Sequence, residues 1–135
     1  WPAQLRAGSF SRETGYLPDL MATCLDLAGA TFPKNFAGRA TLPPEGVSLL
    51  PALRGKSFEP RTLYWEHEGN RAVRQGKWKL VAQHEGAWEL YDIEADRAEL
   101  HDLSRQQPQR VAALSALYAD WAKRCGVLPW PVPRK

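Results

Sequence analysis

The chain has 135 residues, 44% of them hydrophobic and 24% charged, with 18 Lys+Arg against 15 Asp+Glu. Enough apolar surface is present to exclude wholesale disorder, and the length suits one domain or a piece of one rather than a complete barrel or doubly wound enzyme. The net charge of +3 permits anionic partners without demanding one, because the charges are interspersed.

The N-terminal part is punctuated by Gly8, Gly15, Gly29, Gly38, Gly46 and Gly55 and by Pro18, Pro33, Pro43, Pro44 and Pro51, which leaves room for two short helices. Over 17–29 the residues Leu17, Leu20, Met21, Cys24, Leu25 and Ala28 fall on one helical face, with Pro18 suited to the first turn and Gly29 to a left-handed stop. A second helix is expected over 49–54, started by Ser48 as N-cap and ended by Gly55. The stretch shows no start resembling a signal peptide and its first residue is Trp1 rather than Met, so its natural beginning is expected to lie upstream and no compartment can be read. No apolar run reaches the roughly 18 residues that span a bilayer, and no membrane partner is expected.

Strand signals follow. Residues 62–68 are rich in Tyr and Trp, Gly69-Asn70 is a two-residue hairpin signal, and Arg71-Ala72-Val73-Arg74 forms the return strand. Turns at 75–77 and 84–87 then lead into strands over 78–83 and 88–93, giving a four-stranded antiparallel meander. Trp78, Leu80 and Ala82 alternate with Lys77, Lys79 and Val81, the pattern of a sheet with one covered face and one nearer water. The cover is a helix over 108–124 whose apolar stripe is Val111, Leu114, Leu117, Tyr118, Trp121 and Cys125, ended by Gly126. Beyond it, Pro129, Pro131 and Pro133 prescribe an extended tail. The fold class is therefore α+β: residues 1–60 irregular and partly helical, 61–128 a meander plus helix, and 129–135 a Pro-rich tail.

Chemistry-bearing motifs are absent: there is no nucleophile elbow, phosphate loop, dinucleotide fingerprint or zinc-protease helix. Cys24 and Cys125 are too far apart in sequence for a CxxC pair, and two buried thiols is the simpler expectation over a long-loop disulfide. His67, His84 and His101 lack partners for a zinc site. The acidic run 91–103 lacks the mid-loop Gly of a calcium loop, so turn and capping duties are expected of its carboxylates. Glu66-His67 beside the hairpin turn is the best polar candidate. The run 71–79 mixes cations with an aromatic, which suits a solvated sheet face or, as an alternative, nucleic-acid contact.

Asn70-Arg71-Ala72-Val73-Arg74-Gln75-Gly76-Lys77-Trp78-Lys79-Leu80-Val81, then Trp88-Glu89-Leu90-Tyr91-Asp92-Ile93, then Asp96, Glu99 and Asp102-Leu103 closely resemble the C-terminal end of type I sulfatases of the arylsulfatase family. Trp1-Pro2, the stretch 19–29 and Gly46-Val47-Ser48-Leu49-Leu50-Pro51 resemble earlier parts of the same region, in family order; Asp102 stands where Asn is more usual. The resemblance implies a C-terminal subdomain of an alkaline-phosphatase-like α/β parent. Such a parent hydrolyses sulfate esters with a formylglycine and a divalent cation, usually calcium. Neither Cys24 nor Cys125 sits in the Cys/Ser-x-Pro/Ala-x-Arg context that formylglycine requires, so no catalytic or metal residue is expected here. The segment would instead brace the parent and contribute Glu66, His67, Asn70 and Arg71 to the pocket rim. Its expected partners are the catalytic domain of the same protein and, for the parent, a sulfated small molecule or carbohydrate; nucleic acid is not expected. Self-association through an uncovered apolar patch is also expected of the segment alone. The alternative is a stand-alone carbohydrate- or nucleic-acid-binding module that uses exposed Trp65, Trp78 or Trp88 with Lys and Arg.

Overall fold

The computed structural model describes residues 1–132, which form two compact units, Trp1–Glu59 and the residues from Pro60 on. In the first unit, α1 spans Asp19–Ala28, entered through Pro18 and closed by Gly29 in the left-handed conformation. Both punctuation marks act as the sequence indicates. The facing of the helix does not. Asp19 and Thr23 are its buried residues, whereas Leu20, Met21, Cys24, Leu27 and Ala28 are exposed.

The reason is a set of hydrogen bonds on the polar side of α1. The two Asp19 carboxylate oxygens accept the Tyr16 N–H (2.7 Å) and the Val47 N–H (3.0 Å). Thr23 Oγ1 donates to the Asp19 carbonyl (2.7 Å) and accepts the Leu49 N–H (2.8 Å). Ser48 Oγ donates to Asp26 Oδ2 (2.5 Å) and accepts the Leu50 N–H (3.2 Å). Positions 19, 23 and 26 lie one turn apart, so a single helical edge clasps the segment 47–50. That segment leads into α2, a single turn over Leu50–Leu53 that begins at Leu49 without a side-chain cap, shorter than the expected 49–54. A small hairpin that sequence patterning does not signal pairs β1 (Asn35–Phe36) with β2 (Arg39–Ala40). Its strands are two residues long and exposed, too short to show any periodicity.

The second unit is the expected meander. Strands β3 (Thr62–His67), β4 (Asn70–Gln75), β5 (Trp78–Ala82) and β6 (Glu89–Asp92) pair antiparallel in chain order. The first turn is Glu68-Gly69, both at positive φ, rather than Gly69-Asn70. His67 therefore faces Asn70 and Glu66 faces Arg71. The register aligns Tyr64, Val73, Leu80 and Leu90 across all four strands on one face. Helix α3 (Pro108–Cys125) crosses that face, and Leu114 and Tyr118 join Val73, Leu80 and Leu90 in the core. Tyr64 stacks on Trp121 (centroids 5.2 Å apart, planes 4° apart), and Tyr118 lies beside both Trp121 and Trp88. Rigid aromatic pairs of this geometry add about 0.5–1.5 kcal/mol each beyond their burial.

The other sheet face is wet only in part: Leu63, Ala72 and Tyr91 on it are buried, contrary to the simple alternation expected. A further departure concerns the thiols. Cys24 and Cys125 are free and exposed, because α1 turns its apolar side outward and Cys125 ends α3 beyond the core. After Gly126, residues 127–132 carry neither helix nor strand; Pro133 lies outside the described residues.

Candidate functional site

The polar candidates gather where the turn 68–69 and the loop 84–88 meet at one end of the sheet. Glu66 and Arg71 are opposite one another and share the α3-facing side with Tyr64 and Val73, as the two-residue strand period requires. Glu66 Oε1 accepts the Gly69 N–H (2.9 Å), which ties the carboxylate to its own turn. The Arg71 guanidinium donates to the Gly86 carbonyl (3.0 Å) and lies with its Cζ 4.6 Å from the Trp88 ring centroid. Trp88 in turn meets Tyr118 edge to face, with centroids 5.5 Å apart. Burial pushes the Tyr118 hydroxyl pKa up, the Glu66 charge adds to that rise, and Arg71 opposes it. Glu66, Arg71, Trp88 and Tyr118 thus form one polar and aromatic corner where helix and sheet meet.

His67 and Asn70 belong to the opposite side of the pleat. His67 is exposed, its Nδ1 3.9 Å from Glu68 Oε2. Asn70 is used at both ends of its amide: Nδ2 donates to the His67 carbonyl (2.9 Å) and Oδ1 accepts the His84 N–H (3.1 Å). The structure therefore brings Glu66 and Arg71 together and places His67 and Asn70 across the sheet from them. Sequence reasoning missed Trp88, Tyr118 and His84 as members of this end.

The acidic run builds turns, as expected. Asp92 accepts the Glu94 and Ala95 N–H groups and Lys77 Nζ (2.6 Å). Asp96 accepts the Leu100 and His101 N–H groups (both 2.8 Å), and Asp102 those of Leu90 (2.9 Å) and Ser104 (2.8 Å). The Lys77 hydrogen bond, acting against burial, lowers the Asp92 pKa; the bonds from His101 and Leu100 do the same for Asp96. Tyr91, buried and donating to Glu89 Oε2 (2.8 Å), has its pKa pushed up to about 12.

The cations of the hairpin are also engaged. Lys79 pairs with Glu99 (2.6 Å) and Arg74 donates to the Gly76 carbonyl. Trp78 carries Lys77 and Arg110 against its ring at 4.9 and 4.2 Å. Of the three tryptophans considered for a stand-alone binding module, two are therefore faced by the chain's own cations, and Trp65 is the most exposed.

The resemblance implies a formylglycine and calcium for the parent protein, and the cysteines and carboxylates of the described residues are placed as follows. Cys24 stands on the apolar side of α1 before Leu25-Asp26-Leu27, and among the described residues no group of three His, Cys, Asp or Glu could hold a metal ion. No described helix is long and apolar enough to cross a membrane.

No family model matches the chain. Curated relatives do. An uncharacterized sulfatase of Schizosaccharomyces pombe is 30% identical over 97% of this chain and 25% of its own length. Arylsulfatase K of Bos taurus is 27% identical over 73% of the chain and 20% of the relative. N-acetylgalactosamine-6-sulfatase of Canis lupus familiaris is 34% identical over 58% of the chain and 14% of the relative. The chain thus spans a quarter or less of the length of these relatives. Among solved structures, Ps i-CgsB superposes with a TM-score of 0.73 at 25% identity, covering 90% of this chain and 27% of that one. BT4656 in complex with its substrate D-glucosamine-2-N,6-O-disulfate shares the fold, with a TM-score of 0.67 at 20% identity over 96% of this chain and 28% of that one. In sequence and in fold, the chain belongs to the sulfatase family and corresponds to the C-terminal portion of its members.

Proposed function

We propose that the protein to which this segment belongs hydrolyses sulfate esters, and that the segment completes its fold and forms part of the rim of its substrate pocket. In that reaction water cleaves the ester S–O bond and releases sulfate and an alcohol or phenol. The observation that carries the reading is the match of 97% of this chain to a sulfatase. The nucleophile, formylglycine and cation belong to the rest of the protein, since the cysteines and carboxylates here are not arranged to supply them. The partner of the segment is accordingly that remainder.

Glu66, His67, Asn70 and Arg71 are the rim candidates, with Arg71 foremost. A guanidinium held over the Trp88 ring and hydrogen-bonded to the Gly86 carbonyl is pre-oriented, so less side-chain entropy is lost when it meets an anionic group. A sulfated carbohydrate is the favoured substrate class: the relatives include an N-acetylgalactosamine-6-sulfatase, and BT4656 holds a sulfated glucosamine. An aromatic next to a charged hydrogen-bond donor suits a sugar ring that carries a sulfate.

The test compares hydrolysis of an aryl sulfate and of a 6-sulfated hexosamine by the full-length protein and by this chain alone. The full-length protein turns over and the chain does not. In the full-length protein, Arg71→Ala raises KM by about tenfold, roughly 1.4 kcal/mol, with little change in kcat. Turnover by the chain alone overturns the placement of catalysis. An unchanged KM in a variant that keeps the parental Tm removes Arg71 from the rim.

A further inference from the structure

We infer that the outward face of α1, formed by Leu20, Met21, Cys24, Leu27 and Ala28, is the surface through which this segment docks on the remainder of its own polypeptide. The inference rests on the reading of the chain as part of a longer sulfatase and adds the place of contact.

The case begins with the inversion of the helix. A surface helix normally buries its apolar stripe and wets its polar one. Here Asp19 is 0% exposed while Leu20, Met21 and Leu27 are 56, 52 and 46% exposed. The polar edge is not free to turn outward, since Asp19, Thr23 and Asp26 are committed to the backbone and hydroxyl of 47–50. The apolar side is thus presented by design of the opposite edge rather than by looseness of the helix. It also carries no charge: Leu20, Met21, Cys24, Leu27 and Ala28 offer only carbon and sulfur. A contiguous uncharged face on a hydrogen-bonded helix fits an apolar partner surface and not an anion, a nucleic acid or a polar ligand.

The size of the missing protein chooses the occupant. The chain covers 25, 20 and 14% of three sulfatase relatives, so three quarters or more of such a protein lies outside it. A covalently continuous partner of that size is held at high effective concentration, which a second copy in dilute solution is not. Gly46 supports the same commitment. A Cβ there would overlap the Pro18 carbonyl and lie 2.7 Å from the Asp19 nitrogen, so the chain pays close backbone approach to keep the polar edge inward.

Cys24 is a reporter in the middle of the face. Its alkylation by iodoacetamide is followed by peptide mapping, in the 135-residue chain at low micromolar concentration and in the full-length protein, each relative to the same protein in urea. Cys24 in the chain alone reacts near its unfolded rate; in the full-length protein it reacts at least about tenfold more slowly, since protection there requires local opening. Leu20→Asp with Leu27→Asp leaves the circular dichroism of the chain unchanged and restores Cys24 reactivity in the full-length protein. Equal Cys24 rates in the chain and in the full-length protein overturn the inference. So does protection already present in the dilute chain, which would assign the face to a second copy. The readout is independent of turnover: a full-length protein that protects Cys24 without hydrolysing sulfate esters sinks the proposed function alone, and one that hydrolyses them with Cys24 open sinks this inference alone.

Discussion

Gly69 shows how much one residue decides at the end of the sheet. Its φ is +80°, and a Cβ would overlap His84 Nδ1 and stand 3.2 Å from Trp130 Cβ. Gly69→Ala should therefore cost about 1–3 kcal/mol, read as a lower urea midpoint, and Gly69→Ala with His84→Ala should recover the steric part while the backbone strain remains. Equal midpoints for the two variants would mean that His84 yields freely. Asp102 sets a second expectation. Burial raises its pKa, but the N–H groups of Leu90 and Ser104 and the Ser104 hydroxyl outweigh burial, so the net shift is downward. A carboxylate whose pKa falls on folding stabilises the fold above its unfolded pKa, here 3.8, and loses that contribution as pH falls through the lower folded value. Asp102→Asn keeps an acceptor oxygen and removes the titration. The variant should lose less stability than the parent between pH 7 and about pH 3, measured as the difference in urea midpoints.

At the scale of elements, strands and helices were legible because their signals are periodic, and facing was legible only where the periodic residues were also the buried ones. Val73, Leu80, Leu114 and Tyr118 satisfy both conditions, so sheet and α3 were readable together. Helix α1 satisfies only the first. Its stripe gave the element and the wrong side, because the energy that orients it comes from three short polar side chains bonded to a segment more than twenty residues away. Nothing in local sequence reports such a distant pairing. The hairpin turn failed differently: Gly69-Asn70 is the stronger turn dipeptide, but Glu68 takes the positive φ and Asn70 enters the strand, where its amide bridges His67 and His84. That shift of one residue sets Glu66 opposite Arg71 and creates the corner with Trp88 and Tyr118. The clasp itself is testable. Asp19→Ala leaves the Tyr16 and Val47 N–H groups without their acceptor, so the first unit should lose about 2–4 kcal/mol. Amide exchange at Val47 and Leu49 should quicken while exchange at Val73 and Leu80 stays unchanged; uniform loss across both sets would contradict a local clasp.

For the whole molecule, the two units differ in what holds them. The unit from Pro60 on has an apolar core of its own, Val73, Leu80, Leu90, Leu114 and Tyr118, bordered by Tyr64, Trp78, Trp88 and Trp121. Its contacts are mostly between neighbours in sequence, strand to next strand, and such a topology forms readily. Unit Trp1–Glu59 buries Asp19, Thr23, Leu50 and Ala52, two of them polar, and relies on hydrogen bonds whose net worth is about 1 kcal/mol each. Residues 60–135 produced alone should therefore unfold in one cooperative transition with dispersed amide resonances, whereas residues 1–59 alone should give the collapsed spectrum of an unfolded chain. In the full-length protein the first unit gains the partner face inferred for α1, and exchange at Val47 and Leu49 should slow relative to the 135-residue chain. A stable, dispersed 1–59 fragment would show that the polar clasp suffices without that partner, and the exposed apolar face would then need another explanation.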